Sequence, residues 1–110
     1  MKFKIYYDKT LKLSEGKLAA QVAHITLNLG YREGHYEGYR EGHYEGYTHI
    51  SEFSPRDQTI IVLGLSHTKF NEKLNALRQQ HCQPDYHVQV DKGLTEIPEG
   101  TITTFGLIEY

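Results

Sequence analysis

The chain has 110 residues, 38% of them hydrophobic and 24% charged, with a formal net charge of −2. That length holds one core and therefore one domain, and the apolar content excludes a chain that is disordered throughout. The slight acidic balance excludes a protein that coats nucleic acid through bulk charge, although Lys2, Lys4, Lys9, Lys12 and Lys17 leave room for a local basic face. One cysteine, Cys82, cannot close an internal disulfide, and neither a charged-then-apolar leader nor a long apolar run is seen. A reducing, cytoplasmic chain with no membrane contact is the expectation.

Phe3, Ile5 and Tyr7 alternate with Lys2, Lys4 and Tyr6, the pattern of a half-buried strand. Asp8 to Leu13 connects it to a helix that Ser14 caps and Glu15 opens. Leu18, Val22, Ile25 and Leu29 form the apolar stripe of that helix. Lys17, Gln21, His24 and Asn28 repeat the same spacing one residue earlier, so a cation, an amide and an imidazole line the edge of the buried face. Any amphipathic helix has a polar flank, and spacing alone does not separate a site from a solvated edge. Position adds to the argument: the strand–loop–helix unit puts Gly16 and Lys17 at the carboxyl end of a strand, where α/β sheets bind ligands. There the free N–H groups of a helix start suit a phosphate or carboxylate.

Residues 31–38, Tyr-Arg-Glu-Gly-His-Tyr-Glu-Gly, recur unchanged at 39–46, and Tyr47 begins a third copy. Two octapeptides are too short for a solenoid, whose units run to ~20–45 residues. The segment 31–47 therefore reads as a tandem-repeat insertion, irregular or weakly helical because its four glycines disfavour a helix. Its repeated Tyr and Arg suit stacking on unpaired bases or a homodimer contact. Glu33, His35, Glu37, Glu41, His43 and Glu45 include metal-ligand types, but no cysteine or recognised ligand spacing accompanies them, and no metal site is predicted.

Thr59 to Leu65 is a continuous apolar run, expected to be a central strand covered on both sides. A helix follows, with Thr68 as its cap, Phe70, Leu74 and Leu77 turned inward, and Pro84 past its end. Tyr86–Val90 alternates as a strand, Asp91–Gly100 is turn-rich, and Ile102–Ile108 closes the chain as a last strand. The order is strand, helix, insertion, strand, helix, strand, strand: an α/β domain.

Two separated stretches carry a resemblance. Gly16-Lys17-Leu-Ala19-Ala20-Gln21-Val-Ala-His24 resembles the N-terminal signature of the type 2 peptidyl-tRNA hydrolases. Asp91-Lys-Gly93-Leu94-Thr95-Glu96-Ile97, followed by Gly100-Thr101-Ile-Thr103, resembles the family's Asp-x-Gly-Arg-Thr-Gln-Ile and Gly-Ser/Thr-x-Thr ending. The resemblance covers about residues 2–29 and 59–108. It implies a single α/β domain over 1–110, a four-stranded mixed sheet flanked by helices. It also implies hydrolysis, without metal or organic cofactor, of the ester joining a peptide to the 3′ ribose of tRNA, with the CCA end of peptidyl-tRNA as partner. The family's functional Lys, His, Asp and Thr fall on Lys17, His24, Asp91 and Thr95. Gly16, Gln21, Gly93 and Thr103 fall on neighbouring positions expected to bind substrate.

The chain departs from the family pattern at Leu94 (Arg), Glu96 (Gln) and Thr10 (Asp), and the insertion replaces the usual second helix. Loss of the Arg removes a bidentate phosphate donor, so the alternative expectation is an inactive RNA-binding or protein-interaction module on the same fold. Ester hydrolysis needs an activated water and charge stabilisation for the tetrahedral oxyanion. Asp91 or His24 can serve as base, Thr95 can hold the water or donate to the oxyanion, and Lys17 can hold a phosphate or the developing charge.

Overall fold

The computed structural model describes residues 2–40, 58–80, 85–91 and 100–109, with the backbone alone for 32–40. The elements in chain order are β1 (Lys2–Asp8), a short 3-10 turn (Lys9–Leu11), α1 (Glu15–Arg40), β2 (Thr59–Leu65), α2 (His67–Gln79), β3 (Tyr86–Val90) and β4 (Ile102–Glu109). The strands form one four-stranded sheet in the order β2-β1-β4-β3, with β1 parallel to β2 and β4 antiparallel to both β1 and β3. The carboxyl ends of β1, β2 and β3 therefore share one edge with the start of β4. This is the α/β domain that the element order predicts, with the four-stranded mixed sheet flanked by helices that the resemblance implies.

Each face of the sheet has its own core. On one face Phe3, Ile5 and Ile108 pack against Ile25 and Leu29 of α1, with Val22 beside them. The helix comes close because Gly106 has no side chain: a Cβ there would lie 2.5 Å from Cγ2 of Ile25 and 3.1 Å from Cγ1 of Ile5. On the other face Tyr6 and Phe105 pack against Phe70, Leu74 and Leu77 of α2. The Tyr6 and Phe70 rings lie 5.3 and 5.1 Å from the Phe105 ring, and the Phe70–Phe105 pair meets edge to face.

Three expectations change. Tyr6 is buried rather than solvent-facing, because β1 is a central strand with a helix on either side. Among the described strands β2 pairs with β1 alone and lies at the sheet edge, with Ile60 50% and Leu63 45% exposed. An apolar run identifies a strand, whereas its burial depends on which neighbours the topology supplies. The α2 cap is Ser66, whose hydroxyl accepts from Lys69 N at 3.3 Å, and not Thr68.

α1 runs through the first repeat copy and into the second as far as Arg40, so residues 31–40 are helical rather than irregular despite Gly34 and Gly38. The rest of the repeat, and Pro84, lie outside the described residues.

Candidate active site

The N-terminus of α1 is fixed by its cap. Ser14 Oγ accepts from Lys17 N at 3.1 Å, and Ser14 O accepts from Leu18 N at 2.9 Å. This puts Lys17 in the first helical turn, at the edge where β1, β2 and β3 end. Its ammonium pairs there with Oδ2 of Asp91, the residue that follows β3. The Lys17 side chain is 20% exposed and that of Asp91 2%, so the lysine is the outward half of the pair.

Backbone bonds hold Asp91 in place. Its N–H donates to Thr101 O at 2.9 Å, and its carbonyl accepts from Gly100 N at 2.9 Å. Gly100 adopts φ 86, in the left-handed region where a side chain is disfavoured. Two hydrogen bonds thus close the base of the 91–101 segment that carries Gly93 and Thr95. Both of those residues lie outside the described residues, as do Leu94 and Glu96.

Beside the ion pair is a buried polar cluster built by a β-bulge. Gln89 pairs with Thr104 and Val90 with Ile102, which leaves Thr103 as the extra residue on β4. In a regular strand Thr103 and Thr104 would face opposite sides, but the bulge breaks the alternation. Both hydroxyls donate to Oε1 of Gln21 on α1, Thr103 at 2.8 Å and Thr104 more closely. All three residues are buried, Gln21 with 6% exposure.

Of the residues singled out in the sequence, Lys17 and Asp91 come together, and Gln21 and Thr103 come together one helical turn along. Gly16 is exposed, and a Cβ built on it would meet nothing within 4 Å, so no packing demand explains the glycine. His24 is exposed a further turn along α1, and its ring makes no hydrogen bond among the described residues. The sequence reading missed Thr104, which its place beside Thr103 could have suggested, and the pair of Asp8 with His67. At the same sheet edge the buried Asp8 accepts from Thr10 N at 3.0 Å and Thr10 Oγ1 at 2.5 Å, and its other oxygen lies 2.6 Å from Nδ1 of His67. Burial, the largest single influence on Asp8, pushes its carboxyl up. The hydrogen bonds from Thr10 and His67 together outweigh it and hold the group below the usual carboxylate range.

Among the described residues no three His, Cys, Asp or Glu side chains gather as a metal site requires, and no helix is long and apolar enough to cross a membrane.

A partly buried Lys–Asp pair at the shared carboxyl ends of three strands supplies an acid–base couple and a fixed positive charge, and comparison with known proteins gives that chemistry its family. The chain is similar to the peptidyl-tRNA hydrolase of Methanopyrus kandleri, with 34% identity over 97 residues, covering 88% of this chain and 74% of that protein. The sequence profile of the family described as peptidyl-tRNA hydrolase PTH2 matches residues 1–109. The chain therefore belongs to the peptidyl-tRNA hydrolase PTH2 family.

Proposed function

We propose that this peptidyl-tRNA hydrolase cleaves its substrate at the edge where Lys17 and Asp91 meet. The observation that carries the reading is that contact: two groups 74 positions apart in the chain form an ion pair at the shared carboxyl ends of three strands. Asp91 takes a proton from the attacking water, whose oxygen adds to the acyl carbon of the ester. The C–O bond to the 3′ ribose then breaks, the ribose oxygen takes up a proton, and a free peptide acid and deacylated tRNA leave. Lys17, the less buried member of the pair, presents its ammonium to the charge that develops on the acyl oxygen and keeps Asp91 in place. Thr95, four positions after Asp91 in the same motif, positions the water, and Gly93 takes part in binding the substrate.

The open α1 N-terminus at Gly16 suits a phosphate of the CCA end. His24, exposed two turns along the helix from Lys17, contacts the tRNA rather than the water. Thr103 is fully buried and acts through Gln21. No metal or organic cofactor enters this scheme.

The setting that best fits is cytoplasmic, and the domain takes in the whole chain with the repeat at 31–47 as an insertion. A homodimer contact through the repeated Tyr and Arg belongs to the same reading. Sedimentation of the full chain and of a variant lacking 39–46 tests it: a dimer lost on deletion supports it, and a monomer at every concentration overturns it.

The test of function is release of tRNA from an N-acetylated aminoacyl-tRNA by the purified chain without added cofactor. Turnover that disappears in Lys17→Ala and Asp91→Asn supports the reading. An ester left intact by the wild type overturns it.

A further inference from the structure

Gln21 is buried with half of its amide unused. Oε1 accepts from the hydroxyls of both Thr103 and Thr104. Nε2 carries two N–H donors and makes no hydrogen bond among the described residues, although the residue is only 6% exposed. Buried donors are nearly always paired, so an orphan amide in the interior asks for an acceptor that arrives from outside.

Two features say where that acceptor sits. The hydroxyls hold the carbonyl end of the amide against β4, which turns the –NH2 end away from that strand. Helical side chains lean toward the helix N-terminus, so the Gln21 amide lies over the turn that carries Lys17. The ammonium of Lys17 and the amide of Gln21 therefore sit one turn apart on one side of α1, beside Asp91.

We infer that Gln21 Nε2 donates a hydrogen bond to the carbonyl oxygen of the scissile ester and stabilises the oxyanion formed when water adds. The inference rests on the proposed reading of the Lys17–Asp91 edge as the place of hydrolysis. A neutral donor with so little exposure admits a single small acceptor atom, which fits an acyl oxygen and not a bulky, multiply charged phosphate. Two O–H donors on Oε1 polarise the amide and make its N–H groups better donors. They also lock the side chain before the substrate arrives, so little reorganisation is needed in the transition state. The bulge that brings Thr103 and Thr104 to the same side thereby serves the reaction through Gln21, and both threonines are positioning residues.

The test compares Gln21→Glu, Gln21→Met and Asp91→Asn with the wild type, measuring kcat, KM and Tm on N-acetylated aminoacyl-tRNA. Glu keeps an oxygen for the two hydroxyls at the same chain length and lacks the N–H groups. Met lacks both and adds no charge. The expected result is a fall in kcat of ~10²-fold or more in both Gln21 variants, with KM little changed and the Tm of Gln21→Glu close to wild type.

A purely structural Gln21 would give the opposite: lost stability in Gln21→Met, and restored stability together with full kcat in Gln21→Glu. Wild-type kcat in Gln21→Glu, or a defect confined to KM, overturns the inference. If Gln21→Glu does not fold, Gln21→Met decides by the same criterion. Asp91→Asn with wild-type turnover overturns the site reading itself, whereas an inactive Asp91→Asn beside an active Gln21→Glu overturns this inference alone.

Discussion

Oδ2 of Asp8 lies 2.6 Å from Nδ1 of His67, and this contact between residues 59 positions apart ties the end of β1 to the start of α2. The carboxyl of Asp8 is held below its ordinary range in the fold, so folding favours its ionised form. The stability this supplies is present above the unfolded pKa, about 3.9, and is lost as pH falls through the lower folded value. Asp8→Asn should therefore cost stability at pH 7, about 1–3 kcal/mol for hydrogen bonds to a buried charge. The gap between the two melting curves should close as pH is lowered from 5 toward 3. A gap that stays constant or widens in acid would contradict this account of Asp8.

The approach of α1 to the sheet gives a second expectation. Cγ2 of Ile25 would be 2.5 Å from a Cβ on Gly106, and Ile25 and Ile5 are both fully buried. Ile25 is β-branched and enclosed, so it has little freedom to move aside. Gly106→Ala should destabilise by about 1–3 kcal/mol through overpacking, read as a lower denaturant midpoint with an unchanged slope. An unaltered midpoint would mean that the helix stands further off the sheet.

Much of this architecture can be read from residues alone, and the parts that cannot share a physical reason. The stripe at Ile25 and Leu29, the inward trio Phe70, Leu74 and Leu77, and the Ser14 cap are local patterns, and local patterns translate directly into elements. The burial of Tyr6 and the edge position of β2 depend on strand order, which no single segment encodes. Thr103 was singled out from its motif, but its partnership with Thr104 depends on a bulge that has no sequence signature here. Asp8 and His67 belong to no motif, and only the topology makes them neighbours. Lys17 and Asp91 could be proposed together because two recognisable motifs carried them. Their contact is the step that folding supplies.

Placement of the lysines sharpens the expectation for tRNA affinity. Lys2 and Lys4 lie toward the opposite end of β1 from the site, about 20 Å and about 13 Å from Asp8 at ~3.3 Å per residue, and Lys4 pairs with Glu109 at 2.6 Å. Lys9, Lys12 and Lys17 are at the site end. With Lys17 paired to Asp91, binding should weaken with salt with a logarithmic slope of about −1.4, as for two phosphates on single-stranded RNA at ~0.7 each. Lys9→Ala and Lys12→Ala should each reduce affinity and the slope, whereas Lys2→Ala should change neither. Equal effects at both ends of β1 would show that tRNA lies elsewhere on the surface.

The central claim is that Lys17 and Asp91 act as one unit in the hydrolysis of peptidyl-tRNA, and a double-mutant cycle on kcat/KM tests it most directly. Asp91→Asn alone should lower the rate by ~10²–10⁴-fold, the range for loss of a positioned acid or base. Lys17→Met should also be severely impaired, and the double variant should be little slower than the worse single one, because groups that work together fail together. Multiplicative losses in the double variant, or near-wild-type turnover by Asp91→Asn, would contradict the account.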